Sequence, residues 1–252
     1  MIYNVYGMEE ISLKAQEIFY IGGMGITNSL FLTLLVSLVL MTTAVISYKR
    51  VKLSPGFFQS GVEMGFEWLL DLMSGMLGGV KKAEQYFPLV ATIFIFIMIS
   101  NLSGILPGVG SFVIENGGNE VSLLRAPAAD LNFTVAFALI SVIFTNIIGM
   151  MAVGALPHIS KFINFSNPIK FFIGILELVS EFAKILSLSF RLFGNVFAGE
   201  VLLTIVAFLA PYVIPLPFMG LEIFVGMIQA FVFAMLTLVS IALHTALHGE
   251  EH

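Results

Sequence analysis

Apolar positions along this chain fall in long unbroken runs rather than in alternation. Ile26 to Tyr48 is 23 residues without a charge, enough to cross a hydrocarbon core of about 30 Å. It ends in Lys49, Arg50 and Lys52, which puts that end on the inward side by the positive-inside rule. Residues 1–25 then form an outer N-terminal segment. Residues 56–80 differ: Gln59, Glu63, Glu67 and Asp71 recur every fourth position between apolar residues. That spacing predicts an amphipathic helix on the membrane surface, acidic on one stripe. Further spans are predicted over 86–106 and 131–154, joined by a Gly- and Pro-rich outer loop, 107–130, whose one cation is Arg125.

The C-terminal third is too long for upright spans. Residues 168–210 contain no proline after Pro168, and at 1.5 Å per residue one helix there reaches about 64 Å. Pro211, Pro215 and Pro217 break it, and 218–247 forms a second long helix. The pattern therefore predicts an all-α integral membrane protein. It has about three upright transmembrane helices, one amphipathic surface helix, and a C-terminal hairpin of two long, steeply tilted membrane helices.

Composition agrees. Of the 252 residues 58% are hydrophobic and only 11% charged, and the mean hydropathy is +1.02. Soluble domains carry about 25% charged residues, so a soluble enzyme, a nucleic-acid binder and a disordered chain are excluded. The absence of cysteine removes thiolate metal sites and disulfides. His158, His244, His248 and His252 show no metal-ligand spacing, and neither a metal nor another cofactor is expected.

Six ionisable residues sit inside the two long helices: Glu177, Glu181, Lys184, Arg191, Glu200 and Glu222. A charge at the bilayer centre costs about 2.5–3.5 kcal/mol on insertion scales, so such residues mark ion paths or buried pairs. At about 100° per residue, Lys184, Asn195, Glu177 and Glu181 fall within about 80° of Arg191, and Glu200 falls on the opposite face. Glu222 and Gln229 share a face of the second helix. Glu177 and Glu181 can also simply pair with Lys184, seven and three residues on. Arg191 has no acid three or four residues away. Mid-helix, it is expected to be buried and to need a carboxylate from another helix or subunit. It keeps its proton, so it can hold a carboxylate but not relay a proton, whereas Glu200 and Glu222 can exchange one. Asn101, Ser103, Asp130 and Asn132 are weaker candidates, since polar residues at span ends often cap helices.

The stretch Ser-Leu-Ser-Phe-Arg191-Leu-Phe-Gly-Asn195-Val-Phe-Ala-Gly-Glu200 resembles the signature of the a-subunits of F-type ATP synthases. Phe87-Pro-Leu, Asn101-Leu-Ser-Gly-Ile-Leu-Pro107, Ala128-Ala-Asp130-Leu-Asn132 and Gln229-Ala-Phe-Val-Phe-Ala-Met-Leu-Thr agree with it. The resemblance covers nearly the whole chain, weakest over residues 1–25, and its wording looks bacterial rather than mitochondrial. It implies a non-catalytic proton-channel subunit in the membrane Fo sector, in a bacterial inner (plasma) membrane. Its implied partners are a rotating c-ring, b-type subunits of the peripheral stalk and, indirectly, the soluble catalytic head. It further implies that Arg191 separates two aqueous half-channels, with Asn195 and Gln229 near it and Glu200 and Glu222 lining the outer one. Asn101, Asp130, Glu177, Glu181 and Lys184 are weaker channel-lining candidates. The competing class, a proton-coupled secondary transporter, calls for inverted repeats and paired broken helices, and the sequence shows neither.

Overall fold

The computed structural model describes residues 14–52, 55–106, 109, 112–116, 119–162, 167–210 and 213–246. Pro107, Pro211, His248 and His252 lie outside them, as does most of the outer N-terminal segment. Among the described residues the chain is almost wholly helical. The helices are α1 (Asn28–Arg50), α2 (Phe57–Leu77), α3 (Val80–Ile105), α4 (Leu131–Val153), α5 (Ala155–Phe162), α6 (Pro168–Leu209) and α7 (Pro215–Ala246). Five of these, α1, α3, α4, α6 and α7, are long and apolar enough to cross a membrane.

The bounds differ from the hydropathy pattern in instructive places. Helix α3 begins at Val80, so Lys81 and Lys82 belong to its first turn rather than to a connector. Helix α7 begins at Pro215, because proline in a first turn lacks only an N–H that would have no partner there anyway. Helix α6 runs 42 residues without interruption through Ser187 and Ser189. Two short antiparallel hairpins went unpredicted: β1 (Glu17–Ile21) with β2 (Met24–Thr27), and β3 (Val113–Asn116) with β4 (Asn119–Ser122). The first turns at Gly22 and Gly23, whose φ angles of 59° and 87° suit the tight turn that matches strand twist and disfavour a side chain. The second lies within what the sequence marks as outer loop.

The fold divides into two compact units. One comprises Met1–Met41, Phe96–Thr134 and Arg191–Ala230; the other comprises Thr42–Ile95, Val135–Phe190 and Phe231–His252. In the first, Asp130 ties chain ends together. Its Oδ1 accepts from the Asn132 amide, capping α4, and its Oδ2 accepts from Ser29 Oγ at 2.6 Å. In the second, Leu69, Met73 and Leu77 of α2 pack with Ala83, Val90, Ala234, Leu238 and Ile241. The acids Glu63, Glu67 and Asp71 lie exposed on α2's other face. Helix α2 is thus amphipathic because its apolar stripe is half of a core.

Candidate functional site

The first unit holds a polar cluster built from three segments. Helix α3 supplies Asn101, which is 2% exposed and donates from Nδ2 to the Gly226 carbonyl at 3.0 Å. The approach depends on Gly226: a Cβ there would sit 3.2 Å from Asn101 Cβ. Helix α6 supplies Asn195, whose Nδ2 donates to Gln229 Oε1 of α7 at 2.9 Å. Helix α7 also supplies Glu222. Asn101, Asn195, Glu222 and Gln229 together line a narrow cavity with about 10 Å³ open to the centre of a water molecule, room for about one. Two buried oxygens, Asn101 Oδ1 and Glu222 Oε2, make no hydrogen bond. A buried acceptor without a partner costs about 1–3 kcal/mol, so a donor such as water is favoured there.

Glu200 does not line that cavity. Its Oε2 lies 3.3 Å from Nη2 of Arg125, a guanidinium 8% exposed, and Arg125 Nη1 donates to the Lys14 carbonyl at 3.2 Å. Glu222 nonetheless comes close to Glu200's neighbour, since a Cβ on Gly199 would meet Glu222 Oε1 at 2.6 Å. Arg125 was missed as a site residue. The signal that could have found it is its standing as the one cation in an acidic outer loop.

The second unit holds another polar cluster. Glu181 Oε1 accepts from Lys184 Nζ at 2.6 Å, three residues on in α6. Its Oε2 accepts from Asn146 Nδ2 of α4 at 3.3 Å, and Asn146 Oδ1 lies 3.1 Å from His158 Nε2 of α5. Glu177 is half-buried, one turn before Glu181. Asn146 and His158 were not singled out as site residues by the sequence. Ser103 donates to the Ser100 carbonyl of its own helix, and Asp130 and Asn132 form the α4 cap described above.

Arg191 is exposed on α6, a helix that also exposes Phe182, Leu186, Phe190 and Leu202. Apolar surface of this kind suits lipid or a protein partner in the membrane, whereas an arginine facing hydrocarbon is costly.

Such an architecture, with five membrane-length helices among the described residues, defines a multi-pass membrane protein. Comparison with known proteins gives the particular family: the ATP synthase A chain family matches residues 29–242. ATP synthase subunit a of Moorella thermoacetica is 34% identical over 238 residues, covering 94% of this chain and 99% of the relative. Those of Campylobacter fetus subsp. fetus (32% over 225 residues, 89% and 92%) and Campylobacter jejuni subsp. doylei (34% over 211, 82% and 85%) are also similar. The chain belongs to the ATP synthase A chain family. It serves as a proton-channel subunit of the Fo sector, within the ATP synthase complex, and a secondary transporter is not favoured.

Proposed function

We propose that the two polar clusters belong to two half-channels and that Arg191 is displayed toward a rotating ring of c-subunits in a bacterial inner membrane. The observation that carries this reading is the exposure of Arg191 on α6, between Glu181 and Glu200 in sequence. An arginine on the surface of a membrane helix is placed to meet a carboxylate of a neighbouring subunit.

A proton enters from the outer side through Glu222 and the water-sized cavity beside Asn101 and Gln229, with Glu200 next to it. It neutralises a ring carboxylate, and the neutral site moves into lipid at little cost. On its return the site gives its proton to the inner path past Glu177, Glu181 and Lys184. Arg191 holds the ionised carboxylate by charge proximity, and its permanent charge blocks direct passage between the two paths. Each elementary charge crossing 100 mV supplies about 2.3 kcal/mol. The chain itself performs no ATP chemistry; the ring, b-type stalk subunits and the soluble head complete the machine.

The test is ATP-driven proton pumping in inverted membrane vesicles. Arg191→Ala is expected to abolish pumping in an assembled complex. Arg191→Lys should restore little, because a point charge lacks the planar fork that holds one carboxylate while meeting the next. Pumping at the wild-type rate by Arg191→Ala would refute the assignment.

A further inference from the structure

One buried titratable pair is used by none of these steps. His158 of α5 and His244 of α7 lie with ring centroids 5.4 Å apart and planes tilted by 43°. They are 2% and 6% exposed. Both rest on Gly149 of α4: a Cβ there would come within 2.7 Å of His158 Cε1 and 3.0 Å of His244 Cδ2. Glycine at that position is what admits two imidazoles to one packed site.

Hydrogen bonds fix the tautomers. Asn146 Nδ2 donates to the Val142 carbonyl and to Glu181 Oε2, so its Oδ1 accepts and His158 Nε2 carries the donated proton. The other ring nitrogen, His158 Nδ1, is then a bare lone pair, buried without a hydrogen-bond partner. His244 Nδ1 donates to the Ser240 carbonyl at 2.6 Å, which leaves Nε2 as its basic nitrogen. The neutral His158 ring therefore offers Nδ1 to an incoming proton, beside the His244 ring.

We propose that His158 is a proton-exchanging residue at the inward end of the path, taking and giving up a proton at Nδ1 beside His244. This rests on the half-channel reading above. The incoming proton bonds to Nδ1 to give an imidazolium, and the same proton leaves from Nδ1 to inward water, while Nε2–H stays on Asn146. While His158 is charged, it donates more strongly to Asn146, and Asn146 to Glu181, which ties the two protonation events together. Burial, then Lys161 on α5 and His244 on α7, holds the His158 imidazole below its usual range; Glu181 and Glu177 of α6 pull it back up. A proton bound there is therefore readily released near neutral pH.

The test uses assembled Fo in inverted vesicles stripped of the soluble head. A potassium diffusion potential drives proton flux, and the buffer sets the inward-side pH. Wild type should show an inflexion in flux below the usual imidazole pH. His158→Gln, whose amide can still donate to Asn146, should remove the inflexion and lower flux on the order of ten-fold. His244→Gln should keep the flux near neutral pH and move the inflexion upward, because a neighbour that lowers it is gone; a merely structural role would not move it. Wild-type flux and inflexion in His158→Gln would overturn the proposal. If that variant does not assemble, an unmoved inflexion in His244→Gln would overturn it instead. Failure of the half-channel reading shows separately, as normal ATP-driven pumping by Arg191→Ala.

Discussion

Two carboxylates, one in each unit, are handled in opposite ways. In one, Glu181 is closed off: Lys184 and Asn146 each occupy one of its oxygens, at 2.6 and 3.3 Å. In the other, Glu222 leaves Oε2 without a partner, beside an equally unpartnered Asn101 oxygen and a cavity of one-water size. A closed network holds charge in place, whereas an open acceptor beside a water-sized space invites a proton or a water to come and go. Polar content is therefore a poorer guide to an ion path than the hydrogen bonds that polar groups leave unmade.

Removing the open acceptor should have the largest effect. Glu222→Leu is expected to lower passive proton conductance of head-stripped membranes on the order of 100-fold, within the usual range for losing a positioned proton-transfer group. Glu222→His should retain more, since imidazole also exchanges a proton near neutral pH. Conductance equal to wild type in Glu222→Leu would break the comparison and move the path elsewhere.

Next in size is Arg125→Ala. The guanidinium is buried and holds both Glu200 and the Lys14 carbonyl. Its loss should destabilise the subunit by about 2 kcal/mol, a figure reduced from that for a fully buried pair because Glu200 is 36% exposed. Thermal inactivation of the purified complex reads this directly. Unchanged inactivation would mean that the pair is no more than a surface contact.

Gly199→Ala sharpens the comparison without removing any polar group. The added methyl would meet the Glu222 carboxylate at 2.6 Å and must push it aside. Displacing a positioned group should lower conductance about ten-fold. Gly220→Ala, whose Cβ meets nothing within 4 Å, is the matched control on α7 and should conduct nearly as wild type. Equal conductance in both would show that the position of Glu222 does not matter.

Much of this was legible in the sequence, but not the pairings. The unbroken α6 followed from a proline-free run longer than a bilayer needs, because helix length depends on local residues alone. Arg191, Glu200 and Glu222 stood out because ionisable residues in apolar runs are rare. The partner of Glu200 did not: Arg125 lies 75 residues away, on a loop whose path no periodicity encodes. Asn146 and His158 meet for the same reason, through the short α5, which the apolar pattern left as connector between 131–154 and 168–210. The depth of Arg191 along its helix was legible; its direction was not, since that depends on what surrounds the chain.

The smallest expected effect concerns a polar pair that carries nothing. Ser141 Oγ lies 2.8 Å from Thr237 Oγ1, and both residues are about 1% exposed. Thr237 Oγ1 also lies 3.0 Å from the Phe233 carbonyl, so its one proton goes there and Ser141 donates to it. Ser141→Ala removes a donor and leaves Thr237 satisfied through Phe233, so the cost should be near the membrane-protein average of about 0.6 kcal/mol. Thr237→Val keeps the shape but takes away the acceptor that Ser141 uses. It should cost more, about 1–2 kcal/mol, as expected for a buried hydroxyl left without its partner. Neither variant should change proton conductance, because every hydrogen bond at this pair is already made. A drop in conductance in either, at unchanged complex content, would mean that closed polar contacts also conduct, and the distinction between closed and open polar groups would fail.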